Sequence, residues 1–122
     1  MNGFVGNIDD ITEANENYRE VVYTGPNMQL VVMALQPGEE IGLETHDTHD
    51  QFFCIEEGVG KIIINGQESV LEDDMSAIVP AGAEHNVINT GTEVLKLYTI
   101  YAPPQHPAGT IHKTKADEPE HH

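Results

Sequence analysis

Four side chains in the middle of the sequence have the types and spacing of metal ligands. Glu44 and His46 are two positions apart, so in a β-strand both would point to the same face. Gln51 begins the next β-prone run after a short polar turn, and His85 begins a later run. Carboxylates, imidazoles and amide oxygens are common ligands of divalent metal ions. If the fold brings Glu44, His46, Gln51 and His85 together, these residues could hold one divalent ion per chain.

The segments that carry these donors have the sequence pattern of short strands. Runs rich in β-branched and aromatic residues alternate with turn-forming residues, and Asn65-Gly66 is a strong two-residue hairpin signal. Only the polar segment 9–17 suggests a helical turn. The spacing predicts about ten strands. They include residues 18–24, 28–35, 41–46, 51–56, 61–64, 67–71, 75–79, 85–89 and 93–101.

Many short strands without long helices predict an all-β fold, either a single β-barrel or a jelly roll, because closure or layering hides the strand edges. A chain of 122 residues fits one domain. We expect an N-terminal segment at 1–17, the β-domain at 18–102, and a Pro-rich arm at 103–122 that lies on the surface or on a partner subunit. Residues 120–122 resemble the remnant of a polyhistidine tag, so their histidines are not counted in the site.

Two motifs in this chain resemble those of the cupin family, over about residues 35–101. The first motif matches at Gly38, Glu44, His46, Gln51 and Gly58, and the second at Pro80, Gly82, His85 and Asn89, with Asp74 in place of its opening Gly. The resemblance implies a double-stranded β-helix, also called a jelly roll, and one divalent ion per chain in its cavity, held by Glu44, His46, Gln51 and His85.

The departures from the family pattern change the expected donor set. Glu44 stands where the family has its first His, and Gln51 stands where the family has its Glu. With neutral imidazoles the set keeps one negative charge, but it holds more oxygen. Manganese, iron(II) or nickel would therefore be favoured, and zinc stays plausible. Glu44, His46 and His85 also make a two-histidine, one-carboxylate set compatible with non-haem iron.

The composition and net charge of the chain restrict the kinds of molecule it is expected to bind. The formal net charge is −16, from 21 acidic residues against 5 Lys plus Arg, which disfavours nucleic acid and anionic membrane surfaces. The chain has no apolar run long enough to span a membrane and no secretory leader pattern. Its one cysteine, Cys54, cannot form an internal disulfide, which fits a cytoplasmic protein. The expected partner is a small-molecule substrate or ligand.

Three classes of function are compatible with these residues. The first is a Lewis-acid isomerase, cyclase or lyase acting on a sugar, sugar acid or keto compound. Its base would be Glu44, if that residue leaves the metal, or His49, if that turn residue reaches inward. His49 is also the alternative to Gln51 as the fourth ligand. The second is a non-haem iron dioxygenase, and the third is a ligand-binding module without catalysis. Family membership cannot choose among them, because the fold supports many chemistries.

Several other residues have expected positions. Asn89 precedes Thr90-Gly91 and is expected to close a turn. At most one of Tyr98 and Tyr101 is expected to face the cavity, because they lie on opposite faces of a strand. His106 and His112 are expected on the surface. The nonpolar strand face that includes Phe52 is expected to form a homodimer contact, as small cupins commonly do.

Overall fold

The computed structural model describes residues 3–118, so the suggested tag remnant lies outside the described part of the chain. One helix, α1, spans Ile8–Ala14, and a 3₁₀ turn spans Lys115–Asp117. The strands are β1 (Arg19–Thr24), β2 (Gln29–Leu35), β3 (Glu44–Thr45), β4 (Asp50–Glu57), β5 (Val59–Ile64), β6 (Gln67–Glu72), β7 (Ser76–Val79), β8 (Glu84–Asn89), β9 (Leu95–Ala102) and β10 (Ile111–His112).

These strands form two antiparallel sheets. One has the order β10-β1-β2-β9-β4-β7 and the other the order β3-β8-β5-β6. The inner faces carry a continuous apolar core that includes Val31, Phe53, Ile62, Val87 and Leu97. This arrangement confirms the expected all-β, jelly-roll fold.

Alternation along the strands explains which side chains reach this core. In β9 every second residue is buried, from Leu95 to Tyr101. In β4 the buried residues are Gln51, Phe53 and Ile55. Side chains on a strand alternate between faces, so this register directs Gln51 inward above two apolar neighbours.

The turn between β5 and β6 has the predicted chemistry. Asn65 and Gly66 both have positive φ, 49° and 83°. A two-residue type I′ turn needs positive φ at both positions, which Asn and Gly adopt most readily. The hairpin prediction from Asn65-Gly66 is therefore confirmed.

Two segments differ from the strand pattern expected from the sequence. The run expected at 41–46 is a strand only at Glu44–Thr45, because the Gly42 amide donates instead to the side chain of Asn86, at 2.8 Å. The arm after residue 103 contains β10, which pairs with β1 at the edge of the larger sheet. Neither difference could be predicted from the sequence. An amide that bonds to a distant side chain and a strand that pairs with a distant segment both leave no local pattern.

Helix α1 covers part of the outer face of the larger sheet. It contacts β2, β4 and β9, and the Lys96 ammonium donates to the Glu13 carbonyl at 2.5 Å. Val32, which points outward on β2, is consequently only 1% exposed. Within residues 3–118 no helix is long and apolar enough to cross a bilayer.

Candidate metal centre

Strand pairing brings the four predicted donors into the space between the sheets. The pairing of β3 with β8 sets Glu44 opposite His85, and the His46 carbonyl, just after β3, accepts from the Gly82 amide at 2.9 Å. Gln51 comes from β4 in the other sheet. The donors thus approach one point from both sheets, although Glu44 and His85 are 41 positions apart in the chain.

The donor atoms lie close together. One donor atom from each of Glu44, His46 and His85 falls within 4.8 Å of the others. The Glu44 Oε1 to His46 Nε2 distance is 3.9 Å. The Gln51 Oε1 to His85 Nε2 distance is 3.1 Å. Neighbouring ligands on an ion with bonds of about 2.1 Å are about 3 Å apart, so the second distance already has the spacing of two ligands on one ion.

Hydrogen bonding around His85 also favours a cation. Its Nδ1 lies 3.1 Å from the Ala83 carbonyl, which can only accept, so Nδ1 carries the hydrogen. A neutral imidazole then directs the lone pair of Nε2 toward the carbonyl oxygen of Gln51. Two lone pairs at that distance repel each other unless a proton or a cation lies beside both. A divalent ion would satisfy both atoms, so the donor set fits a metal.

Polar neighbours hold Gln51 in this orientation. Its Nε2 donates to the Thr99 hydroxyl at 3.0 Å, and both residues are buried, at 2% and 0% exposure. Because the amide nitrogen is used there, the amide oxygen faces His85. Thr99 is not among the predicted site residues, and the signal that could have found it is its inward position on β9.

Tyr101 lies against the candidate site from the side of the larger sheet. Its ring centroid is 6.0 Å from that of His46, at an interplanar angle of 81°. Tyr98 points to the other face and stacks near Phe52, so only one of the two tyrosines faces the cavity, as predicted. Burial raises the pKa of Tyr101 to about 12, so its hydroxyl stays protonated near neutral pH.

His49 lies beside the cluster rather than in it. Its ring centroid is 5.7 Å from that of His46. Its Nε2 lies 3.2 Å from the Pro104 carbonyl, and its Nδ1 lies 3.0 Å from the Thr48 hydroxyl. Both ring nitrogens thus have partners, and the ring is half-buried.

The two asparagines after His85 have structural contacts. Asn89 Oδ1 accepts from the Gly91 amide at 2.9 Å, which confirms its expected role in the turn. Asn86 accepts from Gly42 and donates to Glu40. These bonds fix the loop that leads to Glu44.

His106 and His112, which were expected on the surface, are both half-buried. The His106 ring packs edge-on against Tyr101, with centroids 5.2 Å apart. His112 Nδ1 accepts from the buried guanidinium of Arg19 at 3.3 Å. The pairing of β10 with β1 sets His112 opposite Arg19, a contact between distant segments that the Pro-rich composition of the arm did not indicate.

A cavity of about 330 Å³ opens onto the cluster, lined by residues that include Glu44, His46, Leu43 and Gln105. Phe53 belongs to the apolar core and lies beside His85, with ring centroids 6.1 Å apart. A small molecule can therefore reach Glu44 and His46 from one side while an apolar wall stands behind His85.

Comparison with known proteins agrees with this architecture. A family model described as "Cupin domain" matches residues 31–101. YrkC from Bacillus subtilis (strain 168) is 50% identical over 121 residues, and the match covers 93% of this chain and 64% of YrkC. L612 from Acanthamoeba polyphaga mimivirus is 42% identical over 113 residues, covering 88% of this chain and 70% of L612.

The crystal structure of BH2720 from Bacillus halodurans is also similar, with a TM-score of 0.92 and 47% identity. The match covers 93% of this chain and 91% of that one. Since this chain spans 64% of the length of YrkC, the match with YrkC concerns only part of that protein.

Proposed function

The chain belongs to the cupin family, and we propose that it binds one divalent metal ion and acts as a Lewis-acid enzyme on a small oxygenated molecule. Isomerase, cyclase or lyase chemistry on a sugar acid, sugar or keto compound is the reaction class. The observation that carries the proposal is the cluster of Glu44, His46 and His85 donor atoms within 4.8 Å of one another.

The residues of the site would have separate roles in metal binding and proton transfer. Glu44, His46 and His85 would hold the ion, and Gln51 would add a neutral, weak oxygen ligand. A bound divalent ion would polarise a carbonyl or carboxylate oxygen of the substrate. Glu44 and His49 are the two groups proposed to move a proton, because Glu44 lines the open cavity and the His49 ring lies 5.7 Å from that of His46.

The donor chemistry favours harder ions. A site with two oxygen and two nitrogen ligands suits manganese, iron(II) or nickel better than an ion that prefers soft thiolate ligands, and zinc is also compatible.

A second candidate function follows from the same cluster. Two histidines and one carboxylate with open positions are the set used by non-haem iron oxygenases, so a dioxygenase is the alternative if the ion is iron.

Elemental analysis of tag-free protein tests the proposal. The parent chain is expected to carry close to one metal ion, and a His46→Ala plus His85→Ala variant is expected to lose most of it, because two of the ligands are gone. His112→Ala, which removes a histidine on β10 outside the cluster, is the matched control and should retain the metal.

Each result has a clear consequence. Iron in the parent chain, with oxygen consumption, would favour the dioxygenase, whereas zinc, nickel or manganese would favour Lewis-acid chemistry. If parent and double variant hold equally little metal after growth with supplemented ions, the metal proposal fails. The remaining possibility is then a metal-free, ligand-binding cupin.

We also propose that the protein is a cytoplasmic homodimer. A row of paired side chains crosses the outer face of the larger sheet, formed by Tyr23, Leu30, Ile100, Phe52 and Ile78. A two-fold dimer pairs a patch with itself, so the patch cannot carry a strong charge of one sign. In a chain of net charge −16, this uncharged row meets that condition, which supports a second copy of the chain as its partner.

A further inference from the structure

Arg19 is a buried cation at the start of β1. The residue is 1% exposed, and its Nη1 donates to Glu118 Oε2 at 2.5 Å and to His112 Nδ1 at 3.3 Å. Its Nε is buried and has no hydrogen-bond partner among residues 3–118. An arginine has five N–H donors in a planar fork, so this guanidinium can bind a further acceptor oxygen.

The guanidinium borders a cavity of about 240 Å³ that is separate from the one at Glu44. Gln105 lines both cavities, so the two are neighbours. His106 also lines the Arg19 cavity, and Tyr101 stands between its ring and that of His46, with centroid distances of 5.2 Å and 6.0 Å. The two cavities are therefore adjacent, and a small molecule bound at Arg19 would lie next to the candidate metal centre, with Gln105 bordering both cavities.

A carboxylate of the chain itself already lies in this cavity. Glu118 follows the 3₁₀ turn at Lys115–Asp117, and its side chain is 10% exposed. The segment that carries it is held to the body by the two-residue pairing of β10 with β1, by the Tyr18 amide, which donates to the Lys113 carbonyl at 3.1 Å, and by the Lys115 ammonium, which donates to the Glu40 carbonyl. These attachments are one short ladder and single bonds, so the segment can open at a lower cost than the sheets.

We propose that Arg19 binds the carboxylate of a small organic acid, and that Glu118 occupies this position as an internal substitute which the ligand displaces. The guanidinium fork matches a carboxylate in geometry and charge. That the acid is the substrate rests on the proposed metal function, whereas binding at Arg19 does not need the ion. The inference narrows the substrate class to acids whose remaining oxygens reach toward Glu44 and His46.

Rescue of a Glu118→Gln variant by a small carboxylate tests this inference in chelator-treated protein. The substitution leaves Arg19 without its carboxylate partner, so the thermal unfolding midpoint should fall. Propionate should raise the midpoint again in a saturable way, and propionamide, which is similar in size but neutral, should not. Propionate should bind the variant at least about tenfold more tightly than the parent chain, because no internal carboxylate competes.

Matched variants locate the effect. Glu68→Gln removes the carboxylate of the exposed Lys61–Glu68 pair, which has an N to O distance of 2.8 Å, and should show no propionate rescue. An Arg19→Met plus Glu118→Gln variant should lose the response to propionate. Equal responses to propionate and propionamide, or a propionate response that persists without Arg19, would overturn the inference.

A second measurement covers the case in which Glu118→Gln does not fold. Propionate is then titrated into the unaltered chain while the Arg19 Nε–H resonance is followed, and a saturable shift absent with propionamide is expected. No such shift would overturn the inference. Metal content of the same proteins is determined separately, so propionate binding without metal would contradict only the proposed function, and metal without propionate binding only this inference.

Discussion

Gln51 is the donor whose contribution a substitution tests most directly. Its amide oxygen lies 3.1 Å from His85 Nε2, and its amide nitrogen is fixed by Thr99. Gln51→Glu adds a negative charge to the cage and should tighten the binding of Mn²⁺ or Zn²⁺, whereas Gln51→Leu removes the ligand. We expect a loss of about tenfold or more for Gln51→Leu, measured by competition with a chromogenic chelator.

The matched control is Gln67→Leu, an exposed glutamine on β6, which should leave the affinity unchanged. If the Gln51→Leu variant has the same thermal unfolding midpoint as the parent chain and also binds the ion as tightly, Gln51 is not a ligand. In that case Glu44, His46 and His85 would remain as ligands, with His49 as the alternative fourth ligand.

At the residue scale, the sequence predicted the positions that alternation and motif spacing control. Glu44, His46 and His85 were identified in advance and meet within 4.8 Å, because i and i+2 share a strand face. Arg19 and Thr99 were missed. A buried arginine is partnered here by Glu118, 99 positions away, and no local pattern announces a pair of that separation.

At the scale of single elements, a substitution at Ile78 tests the proposed dimer. It is 69% exposed at the end of the apolar row on the larger sheet, and Phe52, its cross-strand partner, continues the row. Ile78→Glu adds a buried like-charge pair to a two-fold interface and should convert the dimer to monomer. Light scattering coupled to size-exclusion chromatography measures the mass directly.

Val70→Glu is the matched control, since Val70 is 59% exposed on β6 of the other sheet. It should leave the mass of the dimer unchanged. A parent chain that is already monomeric at high protein concentration would contradict the dimer proposal, and so would an Ile78→Glu protein of dimeric mass.

Elements with local information were predicted well, and those that depend on distant pairing were not. The β5–β6 hairpin follows from Asn65-Gly66 alone, and the alternation in β4 and β9 is visible in the sequence. Strand β10 has two residues and exists through its pairing with β1. A run that short has no periodicity, so its strand structure could not be predicted.

At the scale of the whole molecule, net charge and buried tyrosines act in the same direction at high pH. The chain carries a formal charge of −16 near neutrality, and raising the pH adds to this self-repulsion. Burial also raises the pKa of Tyr18 above its usual value, and Glu118 and Glu44 raise it further, against the opposing effect of Arg19. The unfolded chain therefore loses this tyrosine proton at a lower pH than the folded chain.

The sign of the effect follows from that difference. A raised pKa in the folded state contributes stability that is fully present below the unfolded value of about 10 and is lost as the pH rises through the folded value. The free energy of unfolding should consequently fall as the pH increases above about 10. Tyr101, whose pKa burial raises to about 12, adds to the same loss.

Tyr18→Phe separates the tyrosine contribution from the general charge effect. The Tyr18 hydroxyl is buried without a hydrogen-bond partner among residues 3–118, so its removal should raise the free energy of unfolding at neutral pH by about 1 kcal/mol. The Phe ring can still stack near the Arg19 guanidinium, which lies 5.2 Å from the ring centroid. Denaturant unfolding of Tyr18→Phe at neutral and alkaline pH should show a smaller alkaline loss of the free energy of unfolding than in the parent chain. The control variant Tyr23→Phe, on the outer face, should follow the parent curve at neutral pH. A Tyr18→Phe protein that is less stable at neutral pH, with an unchanged alkaline loss, would mean that the hydroxyl has a stabilising role.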